Sequence, residues 1–366
     1  MVFPMIRWWR ISPLLPALLV LAACTTNPVT GKQSFTAFMS PEDEKRIGGE
    51  EHPKLIKVFG GAYGDAKLRA YVRRIGLKLT RHAETGGLKY TFTILNSDKV
   101  NALALPGGYV YITRGLLALA DNEAEMAGVL AHEIGHVTAR HTAERYSTAQ
   151  ATNLGLMVLG ALGSAAGVPR GVGRLVGFGA QAALQSYSRE QELQADMLGV
   201  RYLSRAGYSP QAMTSFFRTL KAHEKLVRAM EGKKGEAPAN TMATHPRTAQ
   251  RIGQAIQLAN AARVANPVFG REAFLDQIDG MVFGDDPEQG VRRGRVFTHP
   301  GLGIRFQAPA KFVLFNSARQ VVARGPGKSL MVFDLANPKS ARRARSLRTY
   351  VTDVWARGLS LSGLET

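Results

Sequence analysis

Ala131-His132-Glu133-Ile134-Gly135-His136 sets two histidines four residues apart, in a run where Met126, Val129, Leu130, Ile134 and Val137 recur at helical spacing. On a helix of 3.6 residues per turn, side chains four positions apart leave the same face. Two neutral imidazole nitrogens on one face suit a zinc ion, and the Glu133 carboxylate would stand beside the water that completes the coordination sphere. His-Glu-x-x-His on a helix is therefore a specific signal of zinc peptidase chemistry. Asp121 or Asn122 offers an N-cap, and Glu125 can reach back to close a capping box on Asn122. A core helix that merely carries two histidines is the alternative, which the six residues alone leave open.

Upstream, residues 90–95, 101–105 and 108–113 read as strands, the last two joined by Pro106-Gly107. Helices are expected from Ser40-Pro41-Glu42-Asp43-Glu44, with proline at the first helical position, and over residues 66–81, where Leu68, Tyr71, Val72, Ile75 and Leu79 recur. Strands that lead into the metal-motif helix put a sheet edge along a cleft, to which an extended chain can add; a purely structural hairpin has the same pattern. Downstream, residues 153–168 carry no charge and are rich in Gly, Ala and Leu. Too short and glycine-rich to span a bilayer, they read as a mobile segment over the cleft or against lipid, or as a buried helix. In Ser188-Arg189-Glu190-Gln191-Glu192-Leu193-Gln194-Ala195-Asp196, Glu192 and Asp196 again sit four apart. A second helix can turn one carboxylate toward a metal and the other toward a ligand imidazole; a solvated face shows the same spacing.

The order His-Glu-x-x-His, then Ser-Arg-x-x-Glu-x-x-Ala-Asp, resembles the zinc peptidases of the HtpX, BepA and CAAX prenyl protease type. Asn101-Ala102-Leu103-Ala104-Leu105-Pro106-Gly107-Gly108 is similar to the family's substrate-side strand, and Thr244-His245-Pro246 with Arg251 to a further motif. The matching motifs lie within residues 25–265. The resemblance implies one zinc per chain, with His132, His136 and Glu192 as ligands and Glu133 as the catalytic base. It also implies Asp196 orienting a zinc histidine, Arg251 supporting the site, and Asn101, Ala102 and Leu103 on the substrate strand. His245 would lie near the metal, stabilising an oxyanion or filling the open zinc position; a simple N-cap before Pro246 is the bland alternative. His52, His82, His141, His223 and His299 have no ligand spacing and read as structural or exposed. The fold expected is α+β: a mainly helical zincin-like domain with a small edge sheet, followed by a small α+β module.

The chain has 366 residues, 45% of them hydrophobic, enough for one large core or two modest ones. Residues 1–23 read as a secretory leader, with Arg7 and Arg10 ahead of a short apolar run. Leu21-Ala22-Ala23-Cys24 resembles a bacterial lipoprotein cleavage site, which implies that Cys24, the sole cysteine, is lipidated, with ordinary cleavage after Ala23 or a buried thiol as the alternative; one cysteine excludes an internal disulfide. Thr25 at the next position favours the outer membrane, and residues 24–40 read as a lipidated tether. Losing Arg7 and Arg10 takes the formal charge from +19 to +17. With export and no nucleic-acid motif, that charge points to membrane surfaces or acidic partners ahead of DNA or RNA, and a solvated basic face with no dedicated partner has the same composition.

A metallopeptidase domain is expected over 41–283, a linker over 284–294, and a module over 295–366 with short strands near 296, 304, 313 and 330 and a basic helix over 340–359. No tetratricopeptide period appears there, a departure from BepA-like members that end in such repeats. The function expected is a zinc endopeptidase, anchored by lipid at the periplasmic face of the outer membrane and degrading unfolded or misassembled envelope proteins. Its rival is a metal-containing, chaperone-like binding protein with a covered site. No signal for an oligomeric state is present.

Overall fold

The computed structural model describes residues 24–84, 86–164, 186–230, 245, 249–335, 342 and 344–357. The chain divides into two compact units, Met1–Gly284 and Asp285–Thr366. The leader at 1–23 lies outside the described residues.

The first unit begins with a short antiparallel hairpin, β1 (Cys24–Thr26) and β2 (Gln33–Phe35). Residues 24–40, expected as a loose tether, are instead packed: Asn27 and Met39 are buried, and Phe38 N–H donates to Ser147 Oγ at 3.1 Å. Helix α1 (Pro41–Val58) follows behind a capping box of Ser40 and Asp43, and α2 (Ala66–Thr80) behind Asp65. The apolar stripe read from the sequence, Leu68 to Leu79, is the buried face of α2.

Strands β3 (Thr91–Leu95), β4 (Ala102–Leu105) and β5 (Tyr109–Thr113) form one sheet in the order β3-β5-β4, β3 parallel and β4 antiparallel to β5. Successive residues of a strand point to opposite faces. Ala102 and Ala104 thus join the main core with α2, while Leu103 and Leu105 join Leu55 of α1 on the other side. Covered on both faces, β4 is continuously apolar and pairs only with β5 among the described strands, so one backbone edge is free.

After a single turn, α3 (Arg114–Leu117), comes the metal-motif helix α4 (Glu123–Thr138), buried nearly all round. Such a helix belongs in a core. Its cap is Asn122, whose side chain accepts the Glu125 N–H at 3.0 Å. The capping box expected on Asn122 is displaced by one residue, since the Glu125 carboxylate accepts from Asp121 N–H instead, at 2.9 Å. The chain then turns through Arg140, left-handed with φ of 58°, into α5 (His141–Ser164). Of the uncharged stretch 153–168, the part to Ser164 is helical and 165–168 lies outside the described residues.

Among the described residues, helices α6 (Arg189–Arg205), α7 (Gln211–Met230), α8 (Ala249–Ala261) and α9 (Arg271–Ile278) follow in this unit. Helices α4 and α6 meet through glycine: a Cβ on Gly199 would lie 3.2 Å from the His132 backbone, and one on Gly135 3.1 Å from the Ala195 carbonyl oxygen. This close approach is what brings the two sequence motifs together. Among the described residues no helix is long and apolar enough to cross a membrane.

The second unit holds two three-stranded antiparallel sheets around Phe297, Leu314, Val321 and Ala323. One contains β6 (Val291–Arg293), β7 (Val296–His299) and β8 (Ile304–Gln307); the other β9 (Val313–Asn316), β10 (Gln320–Arg324) and β11 (Leu330–Asp334). Strands β6 and β10 were not anticipated. Residues 284–294, expected as a linker, carry β6, and Asp285 accepts from the Arg292 backbone N–H at 2.7 Å and from its guanidinium. Within 340–359, expected as one basic helix, the described residues hold α10 (Leu347–Tyr350) and a π-helical turn over Val351–Trp355. The architecture is α+β, a largely helical domain with a small sheet and a separate sheet module.

Candidate metal centre

Helix α4 presents His132 and His136 one turn apart, with their Nε2 atoms 3.0 Å from each other. Helix α6 brings Glu192 to the same point, its Oε2 3.6 Å from His132 Nε2 and its Oε1 3.5 Å from His136 Nε2. His245 closes the group: its Nδ1 is 3.3 Å from His132 Nε2 and 2.8 Å from Glu192 Oε1. All four residues are buried, and one ligand atom from each lies within 4.8 Å of the others.

This donor set fits zinc, which favours imidazole nitrogen and carboxylate oxygen in four-fold coordination. Burial pushes His136 well below its ordinary pKa, so its imidazole is neutral, the form that ligates. Burial opposes ionisation of Glu192, yet His245, His136 and Arg251 outweigh it and hold the carboxyl well below its usual range. Glu133 is wholly buried, with neither carboxylate oxygen hydrogen-bonded; Oε1 lies 3.2 Å from His245 Nε2. A buried carboxylate without hydrogen bonds is unfavourable unless something else occupies its front, and its place beside the ligand cluster supplies the reason. Burial raises its pKa, against the pull of His245 and His132.

Each helical histidine has an outer support. His132 Nδ1 stands 2.9 Å from Asp196 Oδ1, and Arg251 forks onto Asp196 with two bonds of 2.7 Å while also touching Glu192. Such bidentate pairing fixes the Asp196 carboxylate geometrically, and Arg251 holds it ionised despite burial.

His136 is supported differently: its Nδ1 lies 2.8 Å from His141 Nδ1, whose Nε2 is 3.3 Å from Gln194 Oε1. If His136 gives Nε2 to a metal, its proton sits on Nδ1 and is donated to His141, whose own proton goes to Gln194. Tyr187 stacks on the His136 ring at 3.8 Å, and the Arg145 guanidinium lies 4.4 Å from the centre of the Tyr187 ring.

Glu133, His132, His136, Glu192, Asp196, His245 and Arg251 are therefore gathered at one place. His141 and Tyr187 were passed over. The left-handed turn at Arg140 puts His141 outside the periodicity of α4, and no rule of spacing crosses such a break. Asn101, Ala102 and Leu103 lie at the start of the β4 edge, whereas Ala104 and Leu105, with Pro106 and Gly107, line the cleft beside His136. That cleft holds about 260 Å³ of water-accessible space and is also bounded by Tyr90, Tyr187 and Asn27. Thr244 and Pro246, which flank His245, fall outside the described residues, and Cys24 opens β1.

The sequence matches a family model for Peptidase family M48 over residues 66–259. The beta-barrel assembly-enhancing protease of Escherichia coli (strain K12) is 32% identical over 221 residues, covering 59% of this chain and 44% of the relative. Its counterpart in Yersinia pestis is 32% identical over 324 residues, 82% of this chain and 65% of the relative. The mitochondrial metalloendopeptidase OMA1 of Schizosaccharomyces pombe is 28% identical over 231 residues, 62% and 63% respectively. The chain thus spans about half the length of the first of these relatives.

Proposed function

We propose, from the premise that this chain belongs to peptidase family M48, that it is a zinc endopeptidase of the cell envelope, which cuts misfolded or misassembled proteins there. The observation that carries this is the meeting of His132, His136 and Glu192 with a buried, unbonded Glu133 beside them. His132, His136 and Glu192 would hold the zinc, which when bound supplies a Lewis acid for the scissile carbonyl. Glu133 takes the proton of the attacking water and returns it to the leaving amine. Its burial-raised pKa suits the second half of that task, because a less acidic carboxylate holds the proton long enough to deliver it. The free edge of β4 accepts the substrate as an added strand, and the cleft beside His136 receives it.

The name of the bacterial relatives, beta-barrel assembly-enhancing protease, supports outer-membrane proteins that fail to assemble as the substrate class. The Leu21-Ala22-Ala23-Cys24 signal supports lipid anchoring at the periplasmic face of the outer membrane. Changing Cys24 to Ser should then leave the protein soluble or unprocessed; retention on salt-washed membranes would put the anchor elsewhere.

The reading as an enzyme is tested with unfolded casein. Wild-type protein should hydrolyse it, and Glu133→Gln should keep its zinc while losing about 10²- to 10⁴-fold in turnover. Equal turnover in the two proteins would refute the role of Glu133. A second reading has one observation in its favour: His245 stands where a fourth ligand would close the site, making a resting state of the kind a covered binding protein would have.

A further inference from the structure

We infer that the cleft is held against the membrane, because the residue that walls it lies three positions after the lipidated cysteine, so that the enzyme works on chains at the bilayer surface instead of in the bulk. This rests on the lipid anchoring proposed above and adds where the site must stand.

Asn27 is 5% exposed and ties the hairpin to the metal-motif helix: its Nδ2 donates to the Ala139 carbonyl, the C-cap of α4, at 2.9 Å. Its Oδ1 accepts from the backbone of Val29 at 2.9 Å and Thr30 at 3.1 Å, fixing the turn. Asn27, Pro28 and Val29 then form a wall of the cleft whose other sides include His136 and Leu105.

The stretch after β2 is clamped as well. Arg140 donates to the Met39 carbonyl at 2.7 Å, and Phe38 N–H to Ser147 at 3.1 Å. These bonds remove slack from residues 27–40.

Three residue steps reach at most about 11 Å when fully extended. A free coil over residues 24–40 would instead give a root-mean-square reach of roughly 22 Å and would let the domain turn in any direction. With the wall of the cleft bonded to α4 and covalently within about 11 Å of the acylated residue, the cleft cannot face far from the lipid. A polypeptide emerging from the membrane meets it directly. A soluble chain must enter between protein and bilayer.

The test uses the full-length lipoprotein in vesicles of phosphatidylethanolamine and phosphatidylglycerol, and one unfolded peptide presented either free or coupled to a maleimide lipid. Wild type should prefer the coupled peptide. Inserting twenty Gly/Ser residues between Thr25 and Thr26 deepens the layer the cleft explores from about 11 to about 35 Å. The ratio of coupled to free cleavage should therefore fall about threefold or more. The same insert between Cys24 and Thr25 keeps Thr25 and Thr26 contiguous opposite Ser34 and Gln33 and should give the same result, which guards against local misfolding. Mass spectrometry of the N-terminal peptide separates the two levels of the argument. Acylated Cys24 with an unchanged ratio in both insertion variants overturns the membrane-facing cleft and leaves the anchor standing; unmodified Cys24 overturns both.

Discussion

His136 offers one nitrogen to the metal set and the other to a neutral imidazole, whereas His132 backs onto an ionised aspartate. Outer partners of this kind fix the tautomer of a ligand, and their loss commonly weakens metal binding 10- to 100-fold. His141→Ala should do so, measured by competition with a chelator, and His141→Asn, which restores an acceptor, should recover most of the affinity. Equal affinity in all three proteins would reduce His141 to packing; burial already keeps it neutral, with its pKa down at about 4. His245 poses a sharper alternative, since it touches both Glu192 and Glu133. If it closes the resting site, His245→Ala should speed casein cleavage. If its Nε2 instead steadies an oxyanion, the same change should slow turnover by about 10² to 10³. Unchanged cleavage and zinc affinity would leave it as a helix cap.

At the scale of elements, the site is made by one helix pair. Helices α4 and α6 come close enough for Glu192 to reach the histidines because Gly135 and Gly199 have no side chains between them. Gly199→Ala would press a methyl to 3.2 Å from the His132 backbone. Overpacking of this sort costs about 1–3 kcal/mol, and here it also shifts a ligand-bearing residue. Denaturant unfolding should show the loss of stability, and chelator competition a weaker zinc site. A variant as stable and as tight as wild type would mean that the helices have room to part. The β4 edge belongs to the same scale: its alternating Ala and Leu side chains are consumed by two cores, which leaves its backbone as what a substrate can read.

For the whole molecule, the two units have separate cores. The metal set lies entirely in Met1–Gly284, so ligand binding stabilises that unit through mass action. Calorimetry with and without a chelator should show only the transition of the first unit moving down. A common shift of all the heat absorption would show that the two units unfold as one.

The sequence alone placed His132 and His136 on one face of a helix with Glu133 between them, and set Glu192 and Asp196 four apart on another, because side-chain direction within a helix follows from spacing; that Glu192 would turn toward the histidines came from the family resemblance. Most strands, and helices α1, α2, α4 and α6, were legible for the same reason, as periodic patterns of burial or as capping signals, whereas α7, α8 and α9 were not anticipated. Contacts that depend on how the chain turns between elements were not legible. The left-handed Arg140 brings His141 beneath His136, the glycines set the distance between two helices, and Asn27 bonds to Ala139 across 112 positions of sequence. Each of these is a meeting of surfaces, and a periodic pattern within one element carries no information about which surface the next element will present to it.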